Sequence, residues 1–401
     1  MRTSARPPAR PPARTPARVP ARISARLPRR ISKLVSALVS ARLPGRGDEN
    51  ERPSEQDEQD ERDRREEREE PRAARRALAR YALVKLGGAL LSIALVVVAT
   101  FFLFRLIPGD PTIAYTRDVP VTPEQLDLLR RRLGLDRPLG EQFLDFAWRT
   151  LRLDLGTSYE YRRPVTELIA ERVGPTLLLV GAGLAVAVAL GMWQGTRAAW
   201  RHGGRFDRLA TGTALTLWSV PTFWLGLLLL MVLAAGAGPV PGLFPTRGMQ
   251  DVDAPGGPLY LLHVAHHLVL PCLTLVAIVY AQYMLVMRSS LLEEIGQDYV
   301  TTARAKGLRD GEVRRRHAVP NALLPTVTLV FMQIGFVVGG AVSVEFVYSW
   351  PGLGLLFVEA IRGPDYAVMQ GTFMLVCVAV IVMNTLADVV YHVLDPRVRS
   401  A

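Results

Sequence analysis

The sequence predicts an all-α integral membrane protein with about six transmembrane helices and both termini in the cytoplasm. Three observations predict it. Apolar runs long enough to cross a bilayer recur beyond residue 81. The loops between them alternate between strongly basic and nearly free of basic residues. Composition also changes abruptly near residue 80, from a charged, Pro-rich arm to a body that carries the long apolar runs.

The arm holds 21 of the 48 Lys and Arg residues and 13 of the 37 acidic ones, so most of the net +11 charge belongs to residues 1–80. Its PPAR, TPAR and VPAR repeats contain no apolar core of signal-peptide length, and the arm reads as a disordered basic cytoplasmic tail. The stretch ISKLVSALVSARL (31–43) is weakly amphipathic and suits an anionic membrane surface. Such basicity marks nucleic-acid binding when it lies on a folded face. The arm has no fold signature, so the expected partner is the lipid bilayer and no nucleic acid.

Each span needs roughly 20 apolar residues to cover the hydrocarbon core. The runs lie at about 86–104, 174–195, 211–235, 268–287, 323–344 and 368–391. The first is bounded by Lys85 and Arg105, and Pro221 should kink the third. Orientation follows from the short loops. Arg197, Arg201, Arg205 and Arg208 follow span two, against the single acid Asp207. Arg288, Arg304, Lys306, Arg309, Arg314, Arg315 and Arg316 lie between spans four and five. The loops 236–266 and 345–367 carry only Arg247 and Arg362. Basic loops belong inside, so both termini are cytoplasmic.

Segment 108–172 is then external, its arginines balanced by acids. Thr122, Pro123 and Gln125 have the spacing of a capping box with Pro at the first helical position. Gly134 fits the C-terminal stop of that helix, and residues 141–153 form a second amphipathic stretch. Small helices over the outer mouth are the expected result.

The loop 288–322 carries the most local punctuation. Asp298 can cap a short helix, YVTTARAK, that stops at Gly307, with Arg304 and Lys306 where the helix dipole favours cations. Asp310 can start a second short helix that must break at Pro320.

The string QDYVTTARAKGLRDGEVRRRHAVPNALLP (297–325) resembles the EAA loop of permease subunits of binding-protein-dependent ABC importers. That pattern runs Glu-Ala-Ala, then Gly four residues on, then Ile-x-Leu-Pro. Thr301 and Thr302 stand in place of Glu and the first Ala; Ala303, Gly307 and Pro320 match; His317 and Val319 replace Ile and Leu. The YVxTARAKG form is similar to the peptide/nickel branch. Further similar strings run through residues 81–401: PGDP (108–111), LGLDRPL (133–139), DLGTS (154–158), SVPTFWLG (219–226), HLVLPCLTL (267–275), VEFVYSWPGLG (344–354) and NTLADVVYHVLDPRVR (384–399). The arm 1–80 has no counterpart.

The resemblance implies a type I ABC importer permease-like fold in the plasma (inner) membrane of a prokaryote. It implies half of a translocation pathway, completed by a second homologous permease subunit. Two ATP-binding subunits would drive it, and an extracytoplasmic substrate-binding protein would deliver cargo. Di- or oligopeptides are the expected cargo, with nickel or another small solute as the alternative. Asp298, Tyr299, Thr301, Ala303, Arg304, Ala305, Lys306, Gly307 and Pro320 would form the ATPase-docking loop, with Tyr299, Ala303 and Gly307 shaping the contact. The chain has no G-x-x-x-x-G-K-[ST] phosphate loop. No nucleotide cofactor is expected here, ATP being used by partner subunits, and the chain should not be an enzyme. A rival from another class, an ion-coupled transporter or channel, predicts transport without any ATPase.

Polar residues inside spans belong in the protein interior or a cavity. Gln282, Gln333, Glu345, Asn384 and Asp388 are therefore candidates for lining the pathway or for interhelical contacts, Asn384 and Asp388 sharing a face. Gly191-x-x-x-Gly195 and Gly335-x-x-x-Gly339, with Gly340, permit close helix crossing. His263, His266 and His267 read as interfacial histidines rather than a metal set. Cys272 and Cys377 read as packed apolar residues rather than a disulfide.

Overall fold

A computed structural model describes residues 55–106, 122–132, 134–236 and 242–394. Backbone contacts divide the chain into residues 1–71 and 72–401. Only 55–71 of the first unit are described, as helix. Segment 31–43 and the PGDP string lie outside the described residues.

The elements are α1 (Glu55–Leu106), α2 (Pro123–Arg132), α3 (Leu139–Leu151), α4 (Val165–Trp200), α5 (Arg205–Ser219) and α6 (Thr222–Leu229, continued by a π-helical turn over Leu230–Ala234). Then come α7 (Pro258–Ile295), α8 (Asp298–Ala305), α9 (Asp310–Val313, continued by a π-helical turn over Arg314–Ala318), α10 (Val319–Val347), α11 (Leu353–Arg362) and α12 (Tyr366–Leu394). Among the described residues the only β pairing is an isolated bridge between Thr157 and Pro164.

Four helices are individually long and apolar enough to cross a membrane: Ala79–Leu106 within α1, α4, α7, and Tyr366–Val389 within α12. Helix α10, 29 residues long, reaches about 43 Å at the helical rise of 1.5 Å per residue. The third expected span differs from a kinked helix: α5 and α6 meet at 104°. The cause is local. Pro221 offers no N–H and forces the residue before it out of the helical region, and Val220 is extended at φ −82°, ψ 131°.

Residues 55–78 also differ from the expected disordered arm, since α1 begins at Glu55. Here the sequence sets opposite charges four apart (Glu58 and Arg62, Asp60 and Arg64, Glu61 and Arg65), a spacing that supports a helix without a packed face.

The centre of the bundle is the parallel pair α4 and α7, and its closeness follows from missing side chains. A Cβ on Gly191 would lie 2.8 Å from the Tyr280 carbonyl oxygen, and one on Gly195 would lie 2.5 Å from that of Met284. Backbone therefore meets backbone, as small-xxx-small spacing allows. Around this seam Ala187, Ala198, Ala210, Ala214, Val276, Tyr280, Ala281, Tyr283 and Met284 form a fully packed cluster drawn from α4, α5 and α7. The Gly335, Gly339 and Gly340 stripe is helical in α10, but its surroundings lie outside the described side chains.

The expected external helices follow their punctuation. Thr122 and Gln125 exchange hydrogen bonds, Thr122 N–H to Gln125 Oε1 at 3.0 Å and Gln125 N–H to Thr122 Oγ1 at 3.4 Å. Gly134 sits at φ +66° beyond the helix end. Helix α3 sets Phe143 and Phe146 against Phe101 of α1, with ring centroids 5.4 and 5.6 Å away. Both cysteines are free and half-buried.

The seam yields a direct test. Gly195→Ala should destabilise the purified protein by about 1–3 kcal/mol, the usual cost of overpacking. Gly181→Ala should not destabilise, because nothing outside its own stretch of helix stands within 4 Å of its Cβ position. Paired thermal-unfolding curves in detergent decide it; equal midpoints would mean that the two helices separate at little cost.

Candidate functional site

The contacts between helices define two ends of the bundle. At one end lie the termini of α4 and α7, the starts of α5 and α10, and the helices α8 and α9. Helix α8 begins one residue earlier than its sequence suggests. Asp298 is its first helical residue, and the cap is Gln297, which is extended and offers no side-chain hydrogen bond. Asp298 still places a carboxylate beside the positive end of the helix dipole. Gly307 stops the chain at φ +80°, a conformation costly for residues with a Cβ.

The second short helix does not break at Pro320. The chain passes from α9 through the π-helical turn into α10, with Pro320 in the first turn of that helix. The π-helical turn just before Pro320 is where the regular hydrogen-bond ladder is interrupted, so the missing proline N–H is accommodated without a break.

Helix α8 has two different faces. Val300 and Ala303 are buried with Ala199, Met287, Leu291, Val313, Ala318 and Ala322, and Tyr299 packs against the same cluster. Ala303 is thus part of the packed support, not of an exposed contact. Asp298, Thr301, Thr302, Arg304, Ala305, Lys306, Gly307 and Pro320 are exposed. The Tyr299 hydroxyl donates to the Glu294 carboxylate. Burial and that neighbouring carboxylate raise its pKa above the usual tyrosine value. Trp200, at the end of α4, lies under both Arg304 and Arg314, whose guanidinium carbons stand 5.7 and 5.9 Å from its ring.

A part-buried ion pair ties this end together, although neither of its residues stands out in the sequence. Arg288 on α7 forks onto Asp207 on α5, Nε to Oδ1 at 2.6 Å and Nη2 to Oδ2 at 2.9 Å. Gly203 N–H also donates to Asp207 Oδ2 at 2.9 Å. Lys85 Nζ pairs with Asp388 Oδ2 at 2.7 Å, so Asp388 joins α1 to α12. Asn384 and Gln282 are half-buried, while the surroundings of Gln333 lie outside the described side chains.

The other end rests on two buried carboxylates. Glu345 accepts from Thr176 Oγ1 at 2.7 Å and from the N–H groups of Gly354 (2.6 Å) and Leu355 (3.2 Å). It therefore caps the start of α11 while holding α4, an interhelical contact rather than a pathway group. The Gly-x-Gly of WPGLG is required by this approach, since a Cβ on Gly352 or Gly354 would strike Glu345. Asp365 accepts from Ser158 Oγ at 2.6 Å, Tyr159 N–H at 2.9 Å and Val368 N–H at 3.2 Å. It thus fastens the DLGTS turn to the start of α12. Nearby, burial and Glu359 push the Tyr161 hydroxyl up to about 12. Asp207 and Asp365 were legible only as ordinary loop charges, because their partners lie 81 and 207 residues away.

The histidines also divide. His266 Nε2 faces the Leu243 carbonyl at 3.0 Å, whereas His263 and His267 converge on Asp251.

The chain belongs to the family described as binding-protein-dependent transport system inner membrane component. That family's model matches residues 187–400, and the model of its N-terminal region matches residues 78–180. The dipeptide transport system permease protein DppB of Escherichia coli (strain K12) is 37% identical over 314 residues, covering 75% of this chain and 93% of that protein. The glutathione transport system permease protein GsiC of Pectobacterium atrosepticum is 37% identical over 321 residues, covering 80% and 98%. The chain is an all-α, multi-pass permease subunit of an ABC importer, not an enzyme.

The ion pair carries its own expected outcome. Arg288→Met removes the cationic partner of Asp207, which keeps its Gly203 N–H bond, and should cost about 1–3 kcal/mol. Adding Asp207→Asn should recover part of that loss. A double variant no more stable than the single one in thermal unfolding would show that Asp207 gains nothing from its partner.

Proposed function

We propose that this subunit forms half of an ATP-driven import pathway for di- or oligopeptides in the prokaryotic plasma membrane. Its partners are a second homologous permease, two ATP-binding subunits and an extracytoplasmic substrate-binding protein. The cargo class is taken from the names of the relatives, which concern a dipeptide and glutathione. The chain itself binds no nucleotide; ATP is used on the partner subunits.

The observation that carries the coupling role is the two-faced α8. One side is buried in the cluster around Met287 and Leu291, and the other exposes Asp298, Thr301, Thr302, Ala305 and Lys306. A helix anchored in this way transmits a push from a docked ATPase to α4 and α7 without bending. The positively charged loops at that end support placing it in the cytoplasm. Gln282, Gln333 and Asn384 are proposed as pathway or interhelical polar contacts; Glu345 joins α10 to α4 and α11, and Asp388 joins α12 to Lys85.

Gly307→Val tests the coupling role. A β-branched residue at φ +80° must unwind the stop of α8. Uptake by the assembled transporter in proteoliposomes should fall at least about 10-fold while the ATPase still turns over, because the alignment of coupled parts is lost. Gly311→Ala, at an exposed position with no atom near its Cβ, should behave as wild type. Unchanged uptake and unchanged substrate-stimulated ATPase in the Gly307 variant would sink the proposal.

A further inference from the structure

We infer that Asp251, His263 and His267 form a binding site for a divalent cation of the zinc type, at the end of the bundle opposite α8. His263 and His267 are one helical turn apart near the start of α7, with ring centroids 4.5 Å apart. Asp251, in the loop between α6 and α7, places Oδ2 3.5 Å from His263 Nε2 and Oδ1 3.6 Å from His267 Nε2. One donor atom from each residue falls within 4.8 Å of the other two.

The decisive feature is His267. Its side chain is only 1% exposed, and its Nε2 has no hydrogen-bond partner. The other ring nitrogen, Nδ1, stands 3.0 Å from the His263 carbonyl oxygen. A carbonyl only accepts, so Nδ1 carries the proton and, in the neutral ring, Nε2 keeps a lone pair. That lone pair is aimed at a carboxylate, which also only accepts. Two acceptors at this distance repel unless a cation lies between them.

Several details favour a metal ion. Nδ1–H donated to a backbone carbonyl is the usual outer support of a metal-binding histidine. Bonds of about 2.0–2.2 Å in a tetrahedron set neighbouring donor atoms roughly 3.4 Å apart, and the three donor atoms, already within 4.8 Å of one another, need only small side-chain shifts to reach that spacing. Two imidazoles and a carboxylate suit zinc-like ions better than magnesium or calcium. Asp251 is 68% exposed, so an ion can enter from solvent. The Asp251 N–H that now donates to His263 Nε2 at 3.2 Å would give way to the ion. Bound metal would clamp the α6–α7 loop onto α7.

The test uses the full chain purified in detergent without a histidine tag, loaded with Zn²⁺, desalted and assayed for metal. About one equivalent should remain. Asp251→Asn and His267→Gln should each weaken Zn²⁺ at least about 10-fold, whereas His266→Gln should not. Co²⁺ in place of Zn²⁺ should give the strong visible absorption of a tetrahedral site. Because Asp251 is exposed, its variant folds even if the His267 variant does not. Zinc retention equal in wild type and Asp251→Asn, equal loss in His266→Gln, or a weak octahedral Co²⁺ spectrum would each overturn the inference. These readouts do not depend on transport.

Discussion

The bundle depends on the contact between α4 and α7. Where Gly191 and Gly195 meet Tyr280 and Met284, no side chain separates the two backbones. In a membrane, where lipid is as apolar as leucine, close packing of this kind replaces the hydrophobic effect as the force between helices. The rest is arranged about that seam. Helix α5 closes over one side through Ala210 and Ala214, and the α8 cluster grows directly from its end through Ala199, Met287 and Leu291.

Charge is used sparingly and in different ways at the two ends. Asp207 pairs with Arg288 where α5 meets α7, and Lys85 pairs with Asp388 between α1 and α12. At the other end two carboxylates, Glu345 and Asp365, have no cationic partner within salt-bridge distance among the described residues. They are satisfied by backbone N–H groups and hydroxyls at helix starts. Such carboxylates act as caps, and they hold the start of α4, the DLGTS turn, α11 and α12 in fixed relation.

Much of this was readable from the chain itself, for physical reasons. Long apolar runs must be membrane helices, a local capping box was visible at Thr122 and Gln125, and Gly307 announced a left-handed stop. What stayed hidden depends on contacts between distant residues. Neither the partner of Asp207 nor that of Asp365 leaves a local trace. The side of α8 that Ala303 occupies is set by where α4 and α7 end. Pro221 was visible as a disturbance, but the size of the bend was not. Pro320 has the same chemistry and causes no break, because a π-helical turn directly precedes it.

The corner at Val220 limits what surrounds it. Helix α5 is 15 residues long, about 22 Å at the helical rise, so it ends well inside the thickness of a bilayer. The last carbonyls of α5 and the first N–H groups of α6 lack intrahelical partners at that depth. Hydrocarbon cannot solvate them. This flank must therefore be covered by another protein surface or lined by water. Ser219 Oγ and Val220 N–H already cover two of the carbonyls, those of Leu215 and Leu217, so the corner is partly sealed by the chain itself.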